Sequence, residues 1–370
     1  MAKKNDIKDD IFDLLKKESS TAAIAADGLL SDTKLWIDTG SYMFNALLSG
    51  SFFKGFPGNK IVGFAGPHSS GKSYLTMHLL KNFLNMHNKN KIIYFDSEGA
   101  ITTDIINEIF KDDVVEGLKR FEHLVVKNAN EFKRILYILL DAIEKKNNSN
   151  NYFIVLDSLG NLALEDDKEK VLKGKDTVDM GRRAQYIKEI FRTITAQLSI
   201  LQQPMMITTH TYDSMNAYQM KRLSGGSGLE FAANIIVELI PSKIRHENEI
   251  IGTNITAKAR KTRSTVQWKS VELALLYKTG LSKYYGLLKF AIEQGFFKKN
   301  GHRIELKNGE CVFKKEINEN PEKYFPEEVL KELDIYAGEF FRYGGGRNIN
   351  LIEENNEIDI DEVMEKLDTN

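Results

Sequence analysis

The chain has a single cysteine, Cys311, with six prolines and two tryptophans among 370 residues. One thiol excludes an internal disulfide, so a disulfide-stapled scaffold is ruled out and a reducing compartment fits. No apolar run approaches the ~18 residues of a membrane span. The start, Met1-Ala2-Lys3-Lys4-Asn5-Asp6, leads into charged amphipathic sequence rather than a signal core. These absences predict a cytoplasmic protein with no membrane partner. An excess of either charge is missing too: 51 Lys and Arg against 52 Asp and Glu leave a formal net charge of −1. A globally basic nucleic-acid binder is thereby excluded, and any such surface must be local. What is present is 42% hydrophobic residues, enough for a proper core.

Asp6 to Lys17 carries Ile7, Ile11, Leu14 and Leu15 at helical spacing, which predicts a helix on a tether, within an N-terminal helix and polymerisation segment of residues 1–35. From about Leu35 apolar strands alternate with amphipathic helices. Strands are expected at Lys60–Ala65, Ile92–Asp96, Tyr152–Asp157 and Met205–Thr209, and helices at Lys72–Met86, Phe132–Ile143 and Ala184–Leu201. Such alternation implies an α/β core, residues 36–285, with a mostly parallel sheet flanked by helices. Beyond about Tyr285 the texture is lysine-rich with turns at Asn300-Gly301 and Asn308-Gly309, and a small C-terminal α+β domain is expected over 286–345. Residues 346–370 read as a mobile acidic tail, with eight acids between Glu353 and Asp368 against Lys366. The asparagine-rich stretch Lys146–Asn151 reads as a surface loop.

The strongest signal is Gly66-Pro67-His68-Ser69-Ser70-Gly71-Lys72-Ser73, which fits G-x-x-x-x-G-K-[ST] at every fixed position. It lies between an expected strand and an expected helix, the setting in which successive backbone N–H groups and a helix N-terminus converge on phosphates. Lys72 is the candidate for the β and γ oxygens, and Ser73 for Mg²⁺. Ligands of parallel sheets sit beyond the carboxyl ends of the strands, so polar residues there complete the candidate site. Asp157 ends an apolar strand as a metal-holding carboxylate does. Glu98 follows Phe95-Asp96-Ser97 and is the candidate general base. His210 ends the next strand and is a candidate γ-phosphate sensor.

These segments resemble the RecA recombinases, and the likeness is collinear from about residue 36 to 297. Thr39-Gly40-Ser41 resembles the family's segment before the phosphate loop. Tyr94-Phe95-Asp96-Ser97-Glu98-Gly99-Ala100 is similar to the strand that carries its catalytic glutamate, and Leu156-Asp157-Ser158-Leu159 to its Walker B site. Asp96-Ser97-Glu98, Asp157–Ala163 and His210-Thr211-Tyr212 are especially similar to the phage UvsX branch. Two positions depart: His68 stands where cellular members carry glutamate, and Thr209-His210 where they carry Asn-Gln or Asn-His.

The resemblance implies a DNA-dependent ATPase that uses ATP and Mg²⁺, forms a helical homo-oligomeric filament on single-stranded DNA and exchanges strands with homologous duplex. Single-strand-binding and mediator proteins would be its candidate protein partners. It implies a nucleotide site of Gly66 to Tyr74 with Asp157, and Tyr277 near the base. A first DNA loop would run from Asn161 to Gly181, with Met180 and Gly181 at its exit and Arg182, Arg183 and Arg192 available to phosphates. A second would run from Thr211 to Gly226, with Lys221, Arg222, Gly225 and Gly226. Phe231 would be an interface aromatic, and Lys261 and Arg263 would cap the γ-phosphate held by the adjacent protomer. The alternatives are a hexameric RecA-fold helicase, which would share the phosphate loop and trans cations, and a non-enzymatic nucleotide-binding mediator.

Overall fold

The protein was analysed as a computed structural model that describes residues 15, 17–19, 21, 28–110, 117–146, 151–167, 180–212, 221–247 and 249–344. The expected N-terminal helix falls largely outside the described residues, as do most of the asparagine-rich loop and the acidic tail.

A ribbon of β1 (Trp36–Ile37) and β2 (Phe56–Pro57) brackets helix α1 (Tyr42–Ser49). Ser41 caps α1 through its side chain, accepting from Phe44 N. There follow β3 (Ile61–Gly66), α2 (Lys72–Met86), β4 (Lys91–Asp96), α3 (Thr103–Phe110), β5 (Phe121–Val125), α4 (Ala129–Lys146) and β6 (Tyr152–Asp157). Next come α5 (Met180–Ile200), β7 (Met205–Tyr212), β8 (Arg222–Leu223) and α6 (Gly228–Ala232). Then come the long β9 (Ile235–His246) and β10 (Glu249–Thr262), with β11 (Ser270–Leu276) and β12 (Gly280–Leu281).

One sheet gathers them in the order β12-β11-β10-β9-β3-β7-β6-β4-β5, with β8 beside β7. The run from β9 to β5 is parallel, and the helical crossovers supply the length that parallel pairing needs. The parallel strands are nearly continuous apolar runs; all six residues of β3 are buried. From β9 to β12 the pairing turns antiparallel, because these strands follow one another through short connections. The sheet is thus mostly parallel, with an antiparallel extension on one edge.

Core side chains divide between the two faces. One cluster joins Phe44, Phe64, Leu80, Phe83, Tyr94 and Phe153. The other joins Phe95, Phe132, Leu136, Leu156, Ile190 and Ile194 beneath α4 and α5. Alternation along each strand sends neighbours to opposite faces, so adjacent Tyr94 and Phe95 serve different clusters.

Residues beyond Tyr285 form α7 (Leu287–Glu293), a small sheet of β13 (Lys298–Asn300), β14 (Arg303–Glu305) and β15 (Cys311–Phe313), and α8 (Lys314–Glu319), α9 (Pro321–Tyr324) and α10 (Glu327–Phe341). Their apolar side chains join the first cluster: Phe290 meets Phe52 edge-on with ring centroids 5.8 Å apart, and stacks on Phe341. Asp334 on α10 accepts from Ser51 Oγ at 2.9 Å and Phe52 N at 2.5 Å. A cleft of about 650 Å³ lies between this unit and β11. Among the described residues, no helix is long and apolar enough to cross a membrane.

Candidate active site and nucleic-acid loops

The phosphate loop leaves the carboxyl end of β3, and its last glycine has no substitute. Gly71 sits at φ +86°, where L side chains are strained, and a Cβ there would lie 2.7 Å from Ile255 Cδ1. Lys72, buried at the start of α2, folds back on the loop. Its Nζ donates to the carbonyl oxygens of Gly66 at 3.0 Å and Pro67 at 2.8 Å. Burial lowers its pKa, and the carboxylates of Asp157 and Glu98 offset part of that. The ammonium therefore sits in the concavity of the loop with only neutral oxygens, those two carbonyls and Ser70 Oγ at 3.5 Å, as hydrogen-bond partners among the described residues, an arrangement that favours an incoming anion.

His68 to Tyr74, Glu98, Asp157 and His210 line one cavity of about 230 Å³. Strand register brings them together: Asp96 pairs with Asp157, Leu156 with Ile207, and Gly66 with His210. Asp157 Oδ2 accepts from Ser73 Oγ at 3.0 Å and Tyr94 OH at 2.6 Å, while Thr208 Oγ1 donates to Oδ1. Burial and the adjacent Asp157 charge push the Tyr94 phenol well above its ordinary range, so it remains a donor. A hydroxyl and a carboxylate side by side beneath a phosphate loop are the hard oxygen donors that suit Mg²⁺. Ser73 and Asp157 therefore fit the metal that the sequence implies.

Glu98 Oε1 accepts from Ser158 Oγ at 2.7 Å and lies 3.2 Å from His210 Nε2. The His68 and His210 rings meet at a tilt of 31° with centroids 4.2 Å apart. Asp96 shapes the turn that delivers Glu98: it accepts from the backbone N–H groups of Glu98, Gly99 and Ile101 and lies 3.1 Å from His123 Nε2. Burial alone would raise its pKa, but these hydrogen bonds outweigh burial and hold it below the ordinary carboxylate value. Ser158, Tyr94, Thr208 and Asp96 were given no site role from sequence. The signal for them lay in register, since each flanks a selected residue on the same or the next strand.

Tyr277 is exposed just past β11, two residues beyond Leu275, which packs toward Gly71. It does not line the cavity.

Residues 168–179 of the first expected DNA loop and 213–220 of the second lie outside the described residues, but their roots are defined. Thr209 Oγ1 donates to Ser224 O and Ser224 N to His210 O, each at 2.8 Å. Thr211 and Tyr212 then pair with Leu223 and Arg222. Gly225 and Gly226 both have positive φ, and a Cβ on Gly226 would come within 2.8 Å of Ala184 Cβ. The two loop exits therefore abut. Met180 and Gly181 begin α5. Lys221, Arg222 and Arg192 are exposed, and Arg182 is ion-paired with Asp166. Arg183 differs, since its guanidinium turns inward onto the carbonyls of Leu159 and Gly160. Burial lowers its pKa, and Asp167 offsets part of this.

Lys261, Arg263 and Phe231 form a separate cluster. Lys261 Nζ donates to Glu230 O and to Phe231 O at 3.4 Å, and Arg263 Nη2 reaches Phe231 O at 3.5 Å. Burial, then repulsion from Arg263, lowers the Lys261 pKa, with Glu230 partly opposing. Phe231 is 61% exposed, with Lys188 Nζ 4.6 Å from its ring centroid. Lys261 pairs with Ile236, and Ile236 with Gly63. Gly66 is three residues farther along β3, about 10 Å at roughly 3.3 Å per residue, and two strand spacings aside. The cations thus lie at the end of the sheet away from their own protomer's phosphate loop.

The RecA N-terminal domain family model matches residues 13–282. The chain belongs to the RecA family. Among relatives of this RecA-family chain is the "Recombination and repair protein" of Enterobacteria phage T4, 26% identical over 288 residues that cover 77% of this chain and 71% of the relative. "Protein RecA" of Phytoplasma mali is 25% identical, covering 74% and 76%. "Protein RecA" of Clavibacter michiganensis is 22% identical, covering 82% and 80%.

Proposed function

We propose that this RecA-family chain is an ATP-dependent homologous recombinase that forms a helical filament on single-stranded DNA and catalyses homologous pairing and strand exchange. The observation that carries the reading is the continuous path from Glu98 through His210 to the backbone root of the second loop. The candidate phosphate sensor His210 is hydrogen-bonded through its backbone to Ser224, in the segment expected to grip DNA.

In this reading Lys72 leaves the Gly66 and Pro67 carbonyls for the β and γ oxygens of ATP, and the loop N–H groups cradle the phosphates. Bound Mg²⁺, held by Ser73 and Asp157, would neutralise phosphate charge. Glu98 orients a water and takes its proton as the oxygen attacks the γ-phosphorus and the bond to the diphosphate breaks. Ser158 and His210 hold the carboxylate in place, and Asp96 fixes the turn that presents it. Tyr277 would flank the base. Lys261 and Arg263 would meet the γ-phosphate of the neighbouring protomer, with Phe231 in the same interface, so nucleotide becomes part of the polymer contact. Exposed Arg182, Arg192, Lys221 and Arg222, repeated along a filament, would neutralise DNA phosphates.

Joint-molecule formation between homologous single-stranded and duplex DNA with ATP tests the reading. Failure with DNA binding intact would favour a helicase, and electron microscopy with ATP and single-stranded DNA would then show closed rings in place of helical filaments.

A further inference from the structure

Arg183 stands on the first turn of α5, the helix that leads out of the first expected DNA loop. Its Nη2 donates to the carbonyls of both Leu159 and Gly160. Those residues open the short turn Leu159–Asn161 that follows Ser158. Ser158 is held twice at the strand end: its N–H donates to Ser97 Oγ at 2.9 Å, and Ser97 Oγ donates to its carbonyl at 2.7 Å. Its hydroxyl in turn donates to Glu98 Oε1. Four residues therefore connect a loop root to the expected general base.

The turn has little slack. A Cβ on Gly160 would lie 2.5 Å from Ser224 Oγ, and one on Gly225 would lie 2.8 Å from Leu159 Cγ. Displacing the turn must move the root of the second loop as well. The contacts of Arg183 also leave capacity unspent. Its Nε, and Oδ1 of Asp167 at the other root of the first loop, are buried without a hydrogen-bond partner among the described residues. Asp167 Oδ2 accepts from Leu164 N at 3.0 Å. Among the described residues, a buried donor and a buried carboxylate oxygen of opposite charge therefore stand one at each root of the first loop, with hydrogen-bonding capacity to spare.

We propose that Arg183 is a positioning residue that couples DNA engagement by the first loop to the placement of Glu98, through the Leu159–Gly160 turn and Ser158. It is not a phosphate contact: Arg182 and Arg192 face solvent, whereas the Arg183 guanidinium faces the turn. The inference rests on the DNA-dependent ATPase reading above.

The test uses the full chain, measuring ATP hydrolysis with and without saturating oligo(dT), and oligo(dT) affinity across a salt series with a non-hydrolysable ATP analogue. Arg183→Met keeps the packing of the stem, and Arg183→Lys keeps a charged donor. Arg183→Met is expected to lose about tenfold in DNA-stimulated kcat, the scale of coupling-network mutations. Its KM for ATP and its salt slope should remain as in the wild type, and Arg183→Lys should recover part of the stimulation. Wild-type stimulation in Arg183→Met would overturn the proposal. So would a salt slope shallower by about 0.7 with stimulation restored at saturating DNA, the mark of one lost phosphate contact. If Arg183→Met unfolds in a thermal melt, Arg183→Lys carries the test: reduced stimulation with unchanged DNA affinity supports the coupling, and full stimulation refutes it. A wild-type ATPase indifferent to DNA would sink the recombinase reading and the coupling together, whereas loss of the coupling alone leaves the wild type stimulated.

Discussion

The two ends of the central sheet are built on different principles. At the carboxyl end of the parallel strands, Lys72, Asp157 and His210 are buried while Ser73 and Glu98 reach the surface, and each of the five is hydrogen-bonded to another of them, to a neighbouring side chain or to backbone. At the other end, Lys261 and Arg263 are held, among the described residues, by backbone carbonyls of α6, beside an exposed phenylalanine. The first end is a pre-organised cavity; the second is a pair of cations with no carboxylate hydrogen-bonded to either among the described residues. Glu230, the nearest acid, spends its side chain on Arg260 at 2.8 Å. A cation that the fold leaves without a hydrogen-bonded carboxylate is one that an external anion can complete. In the proposed helical assembly of identical copies, that anion would be the triphosphate in the cavity of the next protomer.

The largest effect should come from the open end. Lys261→Ala or Arg263→Ala is expected to lower DNA-stimulated ATPase by about 10³- to 10⁵-fold, the range for cations supplied in trans. Far-ultraviolet circular dichroism and the melting temperature should stay close to wild type. Mixing Lys261→Ala with Glu98→Gln protomers sharpens the comparison. A 1:1 mixture regenerates intact sites at about a quarter of random junctions between neighbours, so turnover should reappear; a mixture as dead as its components would place the cations in cis.

The closed end should respond next. Glu98→Gln is expected to cost roughly 10²- to 10⁴-fold in turnover, the usual share of a general base. ATP binding, read by a fluorescent analogue, should be retained. Undiminished hydrolysis would remove Glu98 from the chemistry.

Asp96 separates stability from chemistry at that same end. Its folded pKa is held below the ordinary value, so it adds stability above the unfolded pKa, near 4, and loses it as pH falls through the folded value. Asp96→Asn should cost about 1.5 to 3 kcal/mol at neutral pH, as for hydrogen bonds to a charged group. It should also flatten the acid limb of a melting-temperature series between pH 5 and 2; a limb of unchanged steepness would show that the carboxylate does not anchor the turn. The smallest effect belongs to the exposed loop roots. Arg192→Ala should make the log–log salt slope of single-strand binding shallower by about 0.7, read by anisotropy, and an unchanged slope would remove Arg192 from the DNA path.

Much of the fold was legible because strands and helices announce themselves by period. Tyr152–Asp157 and Lys72–Met86 have the bounds read from apolar patterning, and Met205–Thr209 runs only three residues longer. The antiparallel edge was harder to see, since β9 and β10 mix buried and exposed positions unevenly and contain bulges that shift the alternation. The orientation of Arg183 was hidden for a different reason. A charged residue at a loop exit reads as solvent-facing, and only the nearby Leu159–Gly160 carbonyls turn it inward.

The sequence alone determined the kind of ligand, because phosphate recognition by a glycine-rich loop and a lysine is encoded in eight consecutive residues. It also determined the layered α/β architecture, which follows from local apolar periods. Tertiary structure alone decided which residues answer to one another: that Ser158 and His210 meet at Glu98, that Tyr94 and Thr208 hold Asp157, and that Lys261 lies far from its own phosphate loop. Those relations are set by strand order and register, which bring together positions dozens of residues apart and leave no mark in any local stretch of chain.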